Sequence, residues 1–423
     1  MSLKSIKFNT IGVRAAAVIV GAAVVLLAIF TLIWCLANTA SYVAEQKEVA
    51  VLTTELSPGD PQTHFMSALL HERTFEPADL STSLAEFEKA AALSPYNYLL
   101  WLRLGSARGR AGETATAEAA FRRALALAPN YPRVHWALGN FLLREGGDDE
   151  AYSELRKAIE GDPQFASPAV AITLQMADGD VQTVQSRFQN LPHANAALAV
   201  FLARQKRWDE AAKVWDTVPV TAGDTRISEA AQVMKRAFFE GRRFRFAAQV
   251  AAQQSPGEGA PAIERVTNPS FESPVKTEGA GEFDWRVAQT NYPQIGLTDT
   301  QKRSGRYGLI AIFNNLDPKD FRGFSQVVAV QPGRTYELTV PYRADVKSKA
   351  PFHWEIVNAT DSKRLAISEP LNLSSDWTTL STTFTVPADA DGIEIRFVRG
   401  DCISSACAAT GSLWFDDISI SAK

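Results

Sequence analysis

Aromatic rings set beside fixed polar side chains can bind a polar ligand, by stacking on its faces and pairing with its polar groups, and the last third of this 423-residue chain supplies both types. In FHWEIVN, a period of two puts Phe352, Trp354 and Ile356 on one face of a strand and His353, Glu355 and Val357 on the other. The same alternation turns Tyr336, Leu338 and Val340 inward and Arg343 outward in YELTVPYR, and leaves Glu394 and Arg396 outward in GIEIRFV. An exposed sheet face bearing Arg343, His353, Glu355 and Arg396 is the expected polar floor of a cleft. Trp285 and Tyr292, in an irregular stretch before the next strand pattern, are the expected stacking rings. A plainer reading of the same residues stays open: Trp285 as a plug in the core, and the charged set as an ordinary solvated face.

Chemistry beyond binding has no such footing. No HExxH, GxSxG or GxxxxGK occurs. His353-Trp354-Glu355 matches the H-x-E of zinc deaminases, but their P-C-x-x-C partner is missing, because four residues separate Cys402 from Cys407. No spacing singles out a pair among the 47 acidic residues for glycoside hydrolysis. The chain is therefore expected not to be an enzyme. A net charge of −4 with no basic run argues against nucleic acid as a partner.

The elements that position these residues fall into three kinds. From about Glu264, short alternating runs rich in β-branched and aromatic residues are broken every 8–15 residues by turn signals, which reads as an antiparallel sandwich or jelly roll. NPSFE (268–272), SGRYGL (304–309), SQVVAVQPGRTYELTVPYRA (325–344), DWTTLSTTFTVP (376–387) and LWFDDISI (413–420) resemble, in order and spacing, the carbohydrate-binding-module jelly rolls of the galactose-binding-like superfamily. The resemblance implies glycan binding. It also implies one structural calcium held by Glu272 of the first block and Asp417 of the last, with hydrogen-bonded turn carboxylates as the alternative for both. Trp377 and Trp414 follow the family's structural positions and are expected in the core.

Upstream, Pro95, Pro129 and Pro163 stand at equal intervals (129 − 95 = 163 − 129 = 34). Trp101, Leu104, Gly105, Ala117, Phe121, Ala124 and Pro129 form one unit; His135, Leu138, Gly139, Ala151, Leu155, Ala158 and Pro163 form the next. This resembles the tetratricopeptide repeat. A unit upstream keeps Leu70, Phe87, Ala90 and Pro95, and degenerate units continue to about residue 252. Small residues sit where helices cross, and each proline ends a second helix. The resemblance implies protein binding in a groove lined here by Arg110, Arg133, Trp136, Asn140 and Arg144. Arg110 and Arg144 are equivalent positions (144 − 110 = 34) that could clamp a carboxylate; solvated arginines are the alternative.

At the front, residues 15–36 carry no charge, and 22 residues at about 1.5 Å each give roughly 33 Å, enough to cross a hydrocarbon core. Lys4, Lys7 and Arg14 precede the stretch without an acidic residue, which places the N-terminus in the cytoplasm. Outside the membrane, the CISSAC loop is expected to close a Cys402–Cys407 disulfide; half a metal site is the competing reading. The expected order is a cytoplasmic tail (1–14), a transmembrane helix (15–37), a connecting segment (38–63), tetratricopeptide-like repeats (64–252), a Pro- and Gly-rich linker (253–263) and the sandwich (264–423). The combination implies a non-catalytic scaffold, single-pass in the inner membrane with its bulk periplasmic or extracellular, which binds envelope proteins through the repeats and glycan through the sandwich. Such a scaffold suits an accessory role in making or exporting a cell-surface polysaccharide. The alternative is an envelope assembly scaffold whose sandwich binds protein and not sugar.

Overall fold

The computed structural model describes residues 11–219, 223–254, 259–289, 292–315, 321–401 and 408–423. The chain forms two compact units, residues 1–169 and 170–423. The first opens with α1 (Ile11–Val43), a helix long and apolar enough to cross a membrane, and no residue of its most apolar window is buried. Its last turns differ: Ala37 and Ser41 are buried, and α1 packs on α2 (Lys47–Leu56) and α3 (Pro61–Glu72). Helical hairpins follow, α3 with α4 (Pro77–Leu93), α5 (Tyr98–Arg110) with α6 (Thr114–Leu127), and α7 (Pro132–Arg144) with α8 (Asp148–Gly161).

The repeat spacing acts at two places in each hairpin. A residue before proline is driven out of the helical region. Accordingly α4, α6 and α8 end on Ser94, Ala128 and Asp162, whose ψ angles are 73°, 67° and 107°. Where the paired helices cross, a Cβ on Gly105 would meet the Phe121 ring at 3.0 Å, and one on Gly139 would meet Leu155 at 2.9 Å. Only glycine admits so close a crossing.

A polar device also repeats. His135 Nε2 faces Pro129 O at 2.8 Å, its Nδ1 faces Glu154 at 2.5 Å, and Lys157 closes on the same carboxylate at 2.6 Å. His64 stands likewise between Pro58 O at 3.0 Å and Glu86 at 2.5 Å, with Lys89 at 2.7 Å. In the unit between them, the Trp101 indole donates to Pro95 O at 3.0 Å, and Ala120 occupies the glutamate position (120 − 86 = 154 − 120 = 34). A carbonyl only accepts, so each histidine Nε2 carries a hydrogen, and the proton between Nδ1 and the buried carboxylate belongs to the pair.

After α9 (Ala166–Met176), which crosses the division, the second unit contains α10 (Val181–Arg187), α11 (Pro192–Arg204), α12 (Trp208–Trp215), α13 (Thr225–Glu240) and α14 (Phe244–Gln254). It continues with β1 (Arg286–Val287), β2 (Gln294–Thr298), β3 (Gly308–Asn315), β4 (Phe324–Ala329), β5 (Thr335–Ser348), β6 (Phe352–Asn358), β7 (Arg364–Ile367), β8 (Ser374–Thr385), β9 (Gly392–Arg399), β10 (Ala409–Phe415) and β11 (Ser419–Ala422). These strands make two antiparallel sheets, β1-β4-β9-β6-β7 and β11-β5-β10-β3-β2, with β8 on the other edge of β5. Between them Phe324, Phe352, Trp354, Phe397 and Phe415 pack at centroid separations of 5.1–5.7 Å, for instance 5.4 Å for Phe324–Trp354 and 5.1 Å for Phe397–Phe415. The expected architecture is the observed one: an apolar helix, helical repeats and an all-β jelly roll.

The last helix pair is built onto the sandwich. Asp391 accepts from the first free N–H groups of α14, Phe244 N at 3.2 Å and Arg245 N at 3.4 Å, so the helix cap comes from the residue that precedes β9. Arg242 donates to Ala359 O at 3.0 Å, Lys235 pairs with Glu282 at 3.0 Å, and Phe239 meets Phe283 edge-on at 5.4 Å. The fully buried Phe244 ring lies where a Cβ on Gly392 would stand, 2.2 Å from its nearest carbon.

Candidate functional site

Alternation places the polar Ser325 of β4 and the ionisable side chains of β6 and β9 on one outer face. The register sets Glu355 beside Arg396 and Arg396 beside Ser325, so His353, Glu355 and Arg396 do share a surface, together with Glu394. Arg396 Nε donates to Glu394 at 2.9 Å, Ser325 Oγ to the same carboxylate at 2.7 Å, and Arg364 Nε to Glu355 at 2.6 Å. His353 Nδ1 donates to Ser368 O at 2.9 Å, which fixes the ring on this face with Nε2 at its other edge. Paired charges held in place make a polar but nearly neutral floor, suited to hydroxyl groups and not to a strong ion. Tyr292 is 38 % exposed and its backbone bridges to Phe321, just before β4 of the same sheet.

Two expected members lie elsewhere. Arg343 is on β5, in the opposite sheet, where its guanidinium sits 5.8 Å from the Trp414 ring centre and donates to Gln301 at 2.9 Å. Consecutive strands β5 and β6 belong to different sheets, so outward from one is the reverse of outward from the other. Trp285 is 2 % exposed and packs between Phe271 at 5.4 Å and Phe324 at 5.6 Å, with its indole donating to Asn268 O at 3.2 Å. Its rings pack in the core, and it also lines a cleft of about 600 Å³ beside Asn268 and Lys276. Trp414, expected inside, points outward and is half-buried, because its neighbours Leu413 and Phe415 fill the core at 0 % exposure.

Glu272 and Asp417 converge on the segment 303–307. Glu272 Oε1 accepts from Arg306 N at 2.8 Å and Tyr307 N at 3.1 Å, and Asp417 Oδ1 accepts from Ser304 Oγ at 2.6 Å. The second oxygen of each carboxylate takes no hydrogen bond among the described residues, so the two fit a hard cation to that extent. No group of three His, Cys, Asp or Glu side chains forms a metal cluster among the described residues. Asp416 is fully buried and accepts from Arg303 N at 2.6 Å; burial pushes its carboxyl above the ordinary range. Cys402 and Cys407 lie outside the described residues.

In the repeats, Arg110 and Arg144 occupy the same helical position but have different partners. Arg110 pairs with Glu72 at 2.8 Å, whereas Arg144 Nε donates to Asn140 O at 3.4 Å. Arg133 is exposed, and Trp136 is half-buried in a stack on Phe165 with centroids 5.2 Å apart and planes at 20°. The arrangement adds what the motif did not offer, Tyr98 against Tyr131 at 5.1 Å. Their hydroxyl hydrogen bond, then burial, holds the Tyr98 phenol above its ordinary range. Both tyrosines open the first helix of a repeat, three and two residues after Pro95 and Pro129, which is the sequence signal that could have found them.

Comparison with known proteins bears on both modules. A family model described as a carbohydrate binding domain matches residues 264–404, and one described as a tetratricopeptide repeat matches 110–177. Among solved structures the chain is similar to one described as "CBM4 structure and function", at 22 % identity over 37 % of this chain and 99 % of that one, TM-score 0.29. It is similar to "Crystal structure of MamA", at 17 % identity over 40 % and 83 %, TM-score 0.28. A third, "Family 16 Carbohydrate Binding Module-2", gives 18 % identity over 37 % and 98 %, TM-score 0.26. No curated protein matches the chain. The chain thus combines a module of a protein-binding kind with one of a carbohydrate-binding kind.

Proposed function

We propose that this chain is a non-catalytic scaffold, anchored by α1 in the inner membrane with its N-terminus cytoplasmic, that holds a glycan on the outer face of the β1-β4-β9-β6-β7 sheet while its repeats hold an envelope protein. The role that fits is accessory to the making or export of a cell-surface polysaccharide. The observation that carries the glycan half is the shared face: His353, Glu355 and Arg396 fixed side by side by internal hydrogen bonds, with the half-exposed Tyr292 near its end. Affinity electrophoresis of the solubilised full chain through gels containing envelope polysaccharides tests it. Retardation should weaken about fivefold in Tyr292→Ala, the worth of one aromatic contact of about 1 kcal/mol. No retardation by any such polysaccharide sinks the proposal.

A second reading, in which the sandwich binds protein, is favoured by the opposite outer face. There Ile312 is 37 % exposed near the half-buried Trp414 of the paired strand, whose ring faces the Arg343 guanidinium, a less charged surface than the floor of the other sheet. Topology is a separate prediction: a reporter fused after Lys423 should be active only outside the cytoplasm, where a Cys402–Cys407 disulfide would also form. Calcium between Glu272 and Asp417 belongs to the same proposal and would tie the first and last strands' loops together. An ion at 100 times its Kd would stabilise by about 2.7 kcal/mol, so an unchanged melting temperature on adding calcium chloride would exclude it.

A further inference from the structure

The short helix α2 is amphipathic in an unusual sense. Ala50 and Thr53 face inward, at 0 % and 2 % exposure, while Val49, Leu52 and Leu56 form an outward stripe at 38 %, 52 % and 49 %. Val49, Leu52 and Leu56 sit at i, i+3 and i+7 along one side of the helix, with the exposed Glu48 and Glu55 beside Leu52 and the 38 % exposed Val51 beyond them. Nothing in the described chain covers that side. A row of exposed apolar residues marks a surface on which a partner can sit.

Its position names the partner. α1 carries no charge between Arg14 and Glu45, and its packing against the repeats begins at Ala37. Only Ala44–Gln46 separate α1 from α2. Beyond α2, Asp60 accepts from Asn38 Nδ2 at 2.7 Å, so the chain has returned to the level of Asn38. α2 therefore runs back along the last turns of α1 toward the end of its exposed apolar part. At the far end, Lys47 is pinned to Asp79 at 3.1 Å, which fixes the helix about its axis. Leu56 then lies near the level of Asn38, Leu52 about 6 Å and Val49 about 10 Å farther from it. A bilayer's polar zone is roughly 5–8 Å deep on each side, and interfacial helices sink their apolar faces to such depths.

We propose that the Val49–Leu52–Leu56 face of α2 is a lipid-contacting surface, seated in the headgroup zone of the membrane that α1 crosses. The repeats then start at the membrane surface with no spacer, and α2 fixes their angle to it. The inference rests on α1 spanning the membrane, and the test separates the two. The full chain, with a genetically encoded dansyl side chain at position 49, 52, 56 or, as control, 118, is placed in nanodiscs of phosphatidylcholine with plain or brominated acyl chains. Quenching by the brominated lipid should be strongest at 56, weaker at 52, weakest at 49 and absent at 118. Emission at 52 and 56 that matches position 118, from protein that stays in the membrane after a carbonate wash, overturns the lipid surface and leaves the anchor standing. Quench-free emission that is blue-shifted only at high protein density would assign the stripe to a second copy and overturn it equally. Release by carbonate overturns the anchor, and the lipid surface with it.

Discussion

The repeats and the sandwich record their structures differently in sequence. In the repeats, contacts run between residues a fixed distance apart, so a period of 34 places Gly105 under Phe121 and Gly139 by Leu155. In the sandwich, alternation gives the face a residue points to but not the sheet its strand joins. His353, Glu355 and Arg396 end together, whereas Arg343, read by the same rule, ends on the opposite side of the molecule's β-layer pair. Local periodicity fixes direction; long-range pairing fixes company.

The sharpest way to break that comparison is Trp285→Ala. A stacking ring on the surface could be removed with little change in stability. A tryptophan packed between Phe271 and Phe324 should cost about 3–5 kcal/mol. Urea unfolding followed by intrinsic fluorescence would show it, and a loss below about 1 kcal/mol would return Trp285 to the surface. Next in size is Gly392→Ala, where the new methyl must displace Phe244. Overpacking there should cost about 1–3 kcal/mol and should loosen the Asp391 cap on α14. Faster amide exchange at Phe244 and Arg245, with β5 and β10 unchanged, is the expected signature.

The repeats offer a substitution that the sandwich cannot. His135→Trp alone crowds Glu154, and Glu154→Ala alone strips His135 of its partner, each at about 1–3 kcal/mol. Together they recreate the Trp101–Ala120 pair of the preceding unit, in which one indole does the work of the histidine on the proline carbonyl. The double variant should therefore recover most of the loss, a strongly non-additive pair in thermal unfolding. Additive losses would mean that the units are equivalent in backbone but not in packing.

These cases also show where legibility ended. The proline period, the close-crossing glycines and the inward strand residues were readable because each depends on neighbours at a fixed offset. The glutamates opposite His64 and His135 were not, since a Glu in a helix pattern looks solvated until a histidine 22 or 19 residues away claims it. Trp285 and Trp414 exchanged roles for a related reason. An isolated aromatic in an irregular stretch carries no alternation to orient it, and Trp414 follows its strand's alternation, with Leu413 and Phe415 inward, and not the family's structural position.

The smallest expected effect separates the two regions by acid. Glu86 lies in the repeats. Burial works to raise its carboxyl, but hydrogen bonds from His64 and Lys89 outweigh burial and hold it below its ordinary 4.5. A depressed acid contributes stability above its unfolded value and loses it as pH falls through the folded one. Asp391 and Asp416 lie in the second unit, and burial raises both above 3.8 despite backbone N–H donors. There the folded state binds the proton first, so stability is gained as pH falls from above the raised value toward 3.8. Between pH 4.5 and 3.8, the ordinary values of the two carboxyl types, these groups push the two units in opposite directions. Hydrogen exchange read separately over α3–α8 and over β3–β10 should show protection falling in the helices before it falls in the strands. Replacing Glu86 by Gln should flatten the helical response, and Asp391→Asn the response around α14. If both regions lose protection at one pH in the unaltered chain and in both variants, these carboxyls do not set the order.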